Sequence, residues 1–308
     1  MKDLISVDDL TVKEINLIHD LAQKFYDNPK KDFSDLAGKV LVNFFFENST
    51  RTRMSFEIAA KKMGAKVINL DISLSSLKKG ESIIDTAKTI NAMNPDFVAV
   101  RHNSSGFVSL LKKYISTSLI NAGDGTNEHP SQALLDSFVI KKYKGSLNNL
   151  KIAICGDVLH SRVARSNIKL LKKFNNQIRV VVPPTMVPYC YEDWLKNKWN
   201  IKLYNSFVDG IKDVDIIMML RIQQERMASG YISSLQEYSK IYGLDQEKLK
   251  YAPKALIMHP GPINRDVEIE SNIADDPRSL ILKQVSAGVA VRQAILKFLC
   301  KNYTKSNL

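Results

Sequence analysis

Residues 39–64 read KVLVNFFFENSTRTRMSFEIAAKKMG, and the order in which their character changes decides the fold. Lys39 to Phe46 is a continuous apolar run of strand length. A run without polar alternation suits a strand covered on both faces, as in a parallel sheet. Glu47-Asn48-Ser49-Thr50 breaks it, and Met54 to Met63 reads as a helix closed by Gly64. Ser49, Thr50, Arg51 and Thr52 fall where that helix begins. Backbone N–H groups without intrahelical partners and the positive end of the helix dipole converge there. Three hydroxyls and a guanidinium add further donors, so the segment suits an anion. Local sequence alone also fits an ordinary helix cap, since Ser and Thr begin many helices. The glycine-rich pattern of a nucleotide-phosphate loop is absent.

The same alternation extends in both directions. Thr11-Val12-Lys13-Glu14 has capping-box spacing, and Ile15, Ile18, Leu21, Ala22 and Phe25 continue a helix from Thr11 to Tyr26. Lys66 to Leu70, Asp96 to Arg101 and Ser118 to Ala122 read as strands, with helices at Ser82 to Met93 and Val108 to Tyr114. Asn121 to Asn127 is turn-rich, and a long helix follows from Pro130 to Tyr143. Gly145 to Asn149 punctuates the chain. A second series of strands then runs Lys151 to Cys155, Ile178 to Val182, Ile201 to Tyr204, Val214 to Met219 and Ala255 to Met258, before a last helix from Val285 to Leu299. The expectation is an α/β fold of two open parallel-sheet domains with helices on both faces. The domains span residues 1–135 and 136–284, with the C-terminal helix, 285–308, packing back on the first. The active site is expected in the interdomain cleft, beyond the carboxyl ends of the strands.

A chain of 308 residues, 44% hydrophobic and 25% charged, has the balance of a soluble globular protein. Its three cysteines, Cys155, Cys190 and Cys300, are dispersed and odd in number. They suggest neither a disulfide framework nor a zinc knuckle, and fit the reduced thiols of a cytoplasm. No signal-peptide core and no membrane-length apolar run is seen. The net charge of +12 favours anions. The lysines are scattered, with no aromatic-flanked basic block, which argues against nucleic acid and leaves small anions. The five histidines lack ligand spacing, so no metal is expected. The unit from Lys151 to Phe174 lacks G-x-G-x-x-G, which argues against a nicotinamide cofactor, and no other cofactor is indicated.

Phe46 to Arg53, Phe-Glu-Asn-Ser-Thr-Arg-Thr-Arg, closely resembles the carbamoyl-phosphate signature of aspartate and ornithine carbamoyltransferases. Arg101-His102, the segment Gly123 to Gln132, and His259-Pro260-Gly261-Pro262 match further motifs of that family in the same order, so the resemblance covers nearly the whole chain. It implies that Arg51, Thr52 and His129 act on the carbonyl oxygen. Gln132 and the carbonyls of Gly261 and Pro262 are implied at the carbamoyl NH2. Ser49, Thr50, Arg51, Thr52, Arg101 and Lys79 are implied at the phosphate.

The acceptor is read from the second half. A dicarboxylate acceptor needs at least two fixed cations, and arginine suits carboxylates. Arg162 and Arg221 each follow a strand of the second series. Their segments resemble the aspartate-binding motifs of the family, which implies that Arg162, Arg221, Gln223 and Lys79 hold L-aspartate. Residues 75–81, Ser-Ser-Leu-Lys-Lys-Gly-Glu, resemble a loop lent to the neighbouring subunit's site, which implies Ser76 and Lys79 as the donated residues and a homotrimer. The loop is one residue shorter than in some relatives, so Ser75 and Ser76 both remain open. Gly261 stands where some members have leucine. The implied reaction transfers the carbamoyl group of carbamoyl phosphate to aspartate, early in pyrimidine biosynthesis. Whether regulatory chains or a dihydroorotase join the trimer is left open.

Overall fold

The computed structural model describes residues 3–47, 49–71, 81–187, 197, 200–223 and 234–300. Ser75, Ser76, Lys79 and Cys190 lie outside the described residues. The chain divides into two compact units, Met1–Phe138 with Ser286–Leu308, and Val139–Val285.

In the first unit, β1 (Val40–Phe45), β2 (Lys66–Asp71), β3 (Phe97–His102) and β4 (Ser118–Asp124) form a sheet ordered β2-β1-β3-β4. Every pairing in it is parallel. The central strands β1 and β3 are almost wholly buried. That is why the run from residue 39 shows no polar alternation. On one face Val42, Phe44, Val98, Val100 and Leu119 pack with Ala87, Ile90, Val108 and Leu111 from α3 (Ile83–Ala92) and α4 (Phe107–Leu111). Burying one such side chain stabilises the fold by about 1.5–3 kcal/mol. The unit also holds α1 (Val12–Tyr26) and α2 (Thr50–Lys62). The capping box closing α1 forms as expected, with Thr11 and Glu14 each accepting from the other's backbone N–H.

In the second unit, β5 (Lys151–Cys155), β6 (Gln177–Val181), β7 (Lys202–Tyr204), β8 (Ile216–Met219) and β9 (Leu256–Met258) form a sheet ordered β7-β6-β5-β8-β9. It too is parallel throughout. Its helices are α6 (Arg162–Lys172), α7 (Phe207–Ile211), α8 (Leu235–Tyr242), α9 (Gln246–Leu249) and α10 (Ser271–Ala274). Two helices cross from one unit to the other: α5 (Pro130–Lys144) and α11 (Ile281–Leu299). The two sheets share one property that matters for function. Each has a point where successive strands part to opposite sides: between β1 and β3, and between β5 and β8. In open α/β sheets, ligands bind among the loops that leave the carboxyl ends at such a point.

Of the boundaries that differ from the sequence reading, three have a clear physical cause. The helix expected from Met54 begins at Thr50, because the polar first turn carries no apolar periodicity. The stretch expected to turn from Asn121 is strand as far as Asp124, held by pairing of His102 with Asp124 after a register shift. The last helix starts at Ile281 rather than Val285. Its first turn inverts the usual pattern, with Leu282 and Val285 exposed and Gln284 buried, so periodicity conceals it. Among the described residues, no helix is long and apolar enough to cross a membrane.

Candidate functional site

One cluster of expected site residues sits at the switch between β1 and β3. Ser49 is the N-cap of α2, yet its side chain makes no capping hydrogen bond. The hydroxyls of Thr11, Ser82, Ser161, Ser206 and Ser234 all do so at their own helices. Ser49 therefore leaves the first-turn N–H groups of α2 to another partner. Arg51 is exposed in this turn and Thr52 is buried beneath it. Arg101 is brought to the same place by register, since it pairs with Phe45 and its carbonyl accepts the Phe46 N–H at 2.8 Å. Its Nε lies 3.1 Å from a Glu47 carboxylate oxygen, and its Nη1 donates to the Ala122 carbonyl at 3.2 Å. Next to it, His102 stacks on Phe107 with ring centroids 3.7 Å apart and accepts the Ser104 N–H on Nδ1. Burial holds its pKa below the usual histidine value, which keeps the ring neutral at pH 7.

His129 and Gln132 reach the carboxyl end of β4 through a turn built on two buried carboxylates. Asp124 accepts from the backbone N–H groups of Gly106 and Glu128 and from the side-chain amides of Asn121 and Asn127. Glu128 accepts from the Ser6 hydroxyl at 2.6 Å and the Val7 N–H at 2.8 Å. The turn is thereby locked to the N-terminal segment. His129, 4% exposed, follows directly, and its Nδ1 lies 3.3 Å from the Ser131 hydroxyl. One turn on, Gln132 donates its amide N–H to Asp136 at 2.9 Å.

A second cluster, within the other unit, lies at the switch between β5 and β8. Arg162 opens α6, buried behind the Ser161 cap. Arg221 and Gln223 leave β8 on the adjacent strand. Asp157, fully buried, links the two loops: it accepts the Gln223 N–H at 3.2 Å and the His160 N–H at 3.1 Å. The loops come this close because residue 156 is glycine. Its φ is +113°, and a Cβ would stand 2.9 Å from the Tyr238 hydroxyl and 3.1 Å from the Leu220 carbonyl. Glu268, also fully buried, accepts the Ile222 N–H at 2.9 Å, the Asn264 N–H at 2.8 Å and the Asn264 side-chain amide at 2.7 Å. It ties the loop after β8 to the loop after β9. In that last loop the His259 Nδ1 accepts the Gly261 N–H, and Gln284 accepts the His259 N–H. The carbonyls of Gly261 and Pro262 are thus borne on a braced turn.

Every expected site residue among those described lies at or next to a carboxyl strand end of its unit: Ser49, Thr50, Arg51, Thr52, Arg101, His129 and Gln132 in the first, Arg162, Arg221, Gln223, Gly261 and Pro262 in the second. Ser76 and Lys79 fall outside the described residues. Sequence reasoning missed the bracing carboxylates Glu47, Asp124, Asp136, Asp157 and Glu268. Only Asp136 left a local signal, four residues after Gln132 on one helix face.

Two family descriptions match the chain in tandem. "Aspartate/ornithine carbamoyltransferase, carbamoyl-P binding domain" covers residues 2–142, and "Aspartate/ornithine carbamoyltransferase, Asp/Orn binding domain" covers residues 148–299. The chain is 49% identical over 302 residues to the aspartate carbamoyltransferase catalytic subunit of Brucella ovis, spanning 97% of this chain and 92% of that one. It resembles the crystal structure of Trypanosoma cruzi aspartate transcarbamoylase in complex with carbamoyl phosphate and aspartate, with a TM-score of 0.86, 28% identity and 96% of each chain covered. It also resembles ornithine carbamoyltransferase from Pyrococcus furiosus, with a TM-score of 0.85, 27% identity and 96% of each chain covered.

Proposed function

The chain belongs to the aspartate/ornithine carbamoyltransferase family, and from that membership we infer that it transfers the carbamoyl group of carbamoyl phosphate to the amine of L-aspartate. The products are N-carbamoyl-L-aspartate and phosphate, the step that feeds pyrimidine synthesis. The backbone fold alone does not choose the acceptor, since an ornithine enzyme shares it. The observation that carries aspartate is the pair of arginines, Arg162 and Arg221, at the β5–β8 switch point, in a chain 49% identical to an aspartate carbamoyltransferase catalytic subunit. Two guanidiniums suit two carboxylates and repel an ornithine ammonium.

In this reading the α2 N-terminus, with Ser49, Thr50, Arg51 and Thr52, and Arg101 receive the phosphate. Glu47 already holds Arg101 at its post, 3.1 Å away. The aspartate amine attacks the carbonyl carbon, and negative charge grows on the carbonyl oxygen and the bridging oxygen. Arg51, Thr52 and His129 donate to that carbonyl oxygen, and losing one such donor costs on the order of 100- to 1000-fold in turnover. Gln132 and the carbonyls of Gly261 and Pro262 receive the carbamoyl NH2. The C–O bond to phosphate breaks, and the departing phosphate takes the proton from the amine. No cofactor enters these steps.

We propose further that the chain acts as a homotrimer, with Ser76 and Lys79 of one subunit completing the neighbour's site and Lys79 meeting both phosphate and aspartate. What supports an assembly is an uncovered apolar face: Met54 and Ile58 on α2 and Ile68 on the edge strand β2 are all exposed. The free thiols Cys155 and Cys300 support a reducing, cytoplasmic setting. The test of the reaction is direct. Purified chain given carbamoyl phosphate should form N-carbamoyl-aspartate with aspartate and no citrulline with ornithine. The reverse preference would overturn the acceptor assignment.

A further inference from the structure

Gln132 carries an ambiguity that the known reaction cannot leave open. A glutamine amide offers a donor at one end and an acceptor at the other, and the two ends have nearly the same shape. The carbamoyl NH2 is a donor, so only one orientation of the amide serves it. In this chain the orientation is imposed. The Gln132 amide nitrogen donates to Asp136 Oδ1 at 2.9 Å, and an ionised carboxylate can only accept. Asp136 is 0% exposed, so water does not compete for it.

A carboxylate so deeply buried needs a charge partner. Arg292 on α11 supplies it. This guanidinium is 3% exposed, lies 5.1 Å over the ring of Phe56, and donates to the Gly288 carbonyl at 3.0 Å. Burial pulls its pKa down to about 10, and the charge of Asp136 works against that fall. Arg292 stays charged at pH 7 and sets a positive charge beside Asp136. Glycine at 288 leaves room for this contact, since a Cβ there would press on the guanidinium at 3.0 Å and on Leu135 at 3.2 Å.

We infer that Asp136, backed by Arg292, is a specificity-determining positioning residue that fixes Gln132 with its carbonyl oxygen presented to substrate, so that the site selects a donor bearing NH2 over one bearing a methyl group. The inference rests on the carbamoyl-phosphate reading above. It deepens that reading by naming what tells a carbamoyl from an acetyl group, which matches it in size and phosphate charge.

Phosphonoacetamide and its methyl-ketone isostere, 2-oxopropylphosphonate, are stable probes that differ only in NH2 against CH3. Their dissociation constants should be measured by calorimetry for the wild-type chain and for Asp136→Asn. The wild type is expected to prefer the amide. Asp136→Asn, which can meet Gln132 in either orientation, should lose about tenfold of that preference while the ketone binds within about twofold of wild type. Gln132→Met should lose the preference to a similar degree, and Asp136→Asn added to it should change nothing further. An unchanged preference in Asp136→Asn, with both probes weakened alike, would show a merely structural carboxylate and overturn the inference. Should Asp136→Asn fail to fold, Arg292→Lys carries the same test: a smaller loss of preference is expected, and an unchanged ratio overturns the chain of contacts. A wild type that binds neither probe would overturn the donor reading itself, and this inference with it.

Discussion

Glu268 shows how much one buried side chain can govern here. It accepts from Ile222, between Arg221 and Gln223, and from Asn264, two residues past Pro262. Burial raises its carboxyl above the ordinary 4.5, against the pull of those donors. In the unfolded chain it titrates normally. Its contribution to stability is therefore complete below the unfolded pKa and lost as pH rises through the folded one. Glu268→Gln does not titrate, so its stability relative to wild type should improve as pH rises from 4.5 toward neutrality, read by urea unfolding across pH. A pH-independent difference would refute a raised carboxyl. An amide at this position turns an NH2 toward one of these N–H donors where the carboxylate had an acceptor, so in Glu268→Gln the aspartate KM should also rise by about tenfold.

At the scale of elements, two helix starts make opposite demands on similar residues. Thr11 caps α1 and exchanges hydrogen bonds with Glu14, and nothing about α1 calls for a ligand. Ser49 stands at the same position of α2 and caps nothing. Thr11→Ala should cost about 1 kcal/mol in thermal unfolding and leave substrate affinity alone. Ser49→Ala should change stability by less than about 0.5 kcal/mol. It should nevertheless raise the carbamoyl-phosphate KM by about tenfold, because a donor to the phosphate is lost. If both variants lost equal stability, Ser49 would be an ordinary cap and its place in the phosphate site would fall.

For the whole molecule, the proposed shared sites make a prediction that no single chain can satisfy. Lys79→Ala and Arg51→Ala chains should each be nearly inactive alone. Mixed and reassembled, they should recover about one intact site in four, since random trimers pair a sound Arg51 with a sound Lys79 from the neighbour that often. Failure to recover any activity would speak against sites built from two subunits. The exposed Met54, Ile58 and Ile68 give the surface on which such an assembly would close.

The elements and the parallel class were legible in the chain because they depend on local periodicity: unbroken apolar runs of strand length, separated by helical patterns. The helix start at Ser49 was legible as chemistry suited to an anion, and four ordered motifs made it the proposed site for one substrate. Helix starts that break periodicity were not legible. Ile281 opens a helix whose first turn is inverted, with Leu282 exposed and Gln284 buried, which only the packing around it explains. Nor was the bracing legible. Arg101 meets Glu47 through the register of β1 against β3, and Asp157 meets Gln223 across the β5–β8 switch, contacts between residues far apart in the chain. Arg292 serves Asp136 from a helix at the other end of the sequence. A sequence displays which groups can bind a carbamoyl phosphate and an aspartate, because that follows from side-chain chemistry. Which buried carboxylates hold those groups in place follows from strand order and register, and only the folded chain decides it.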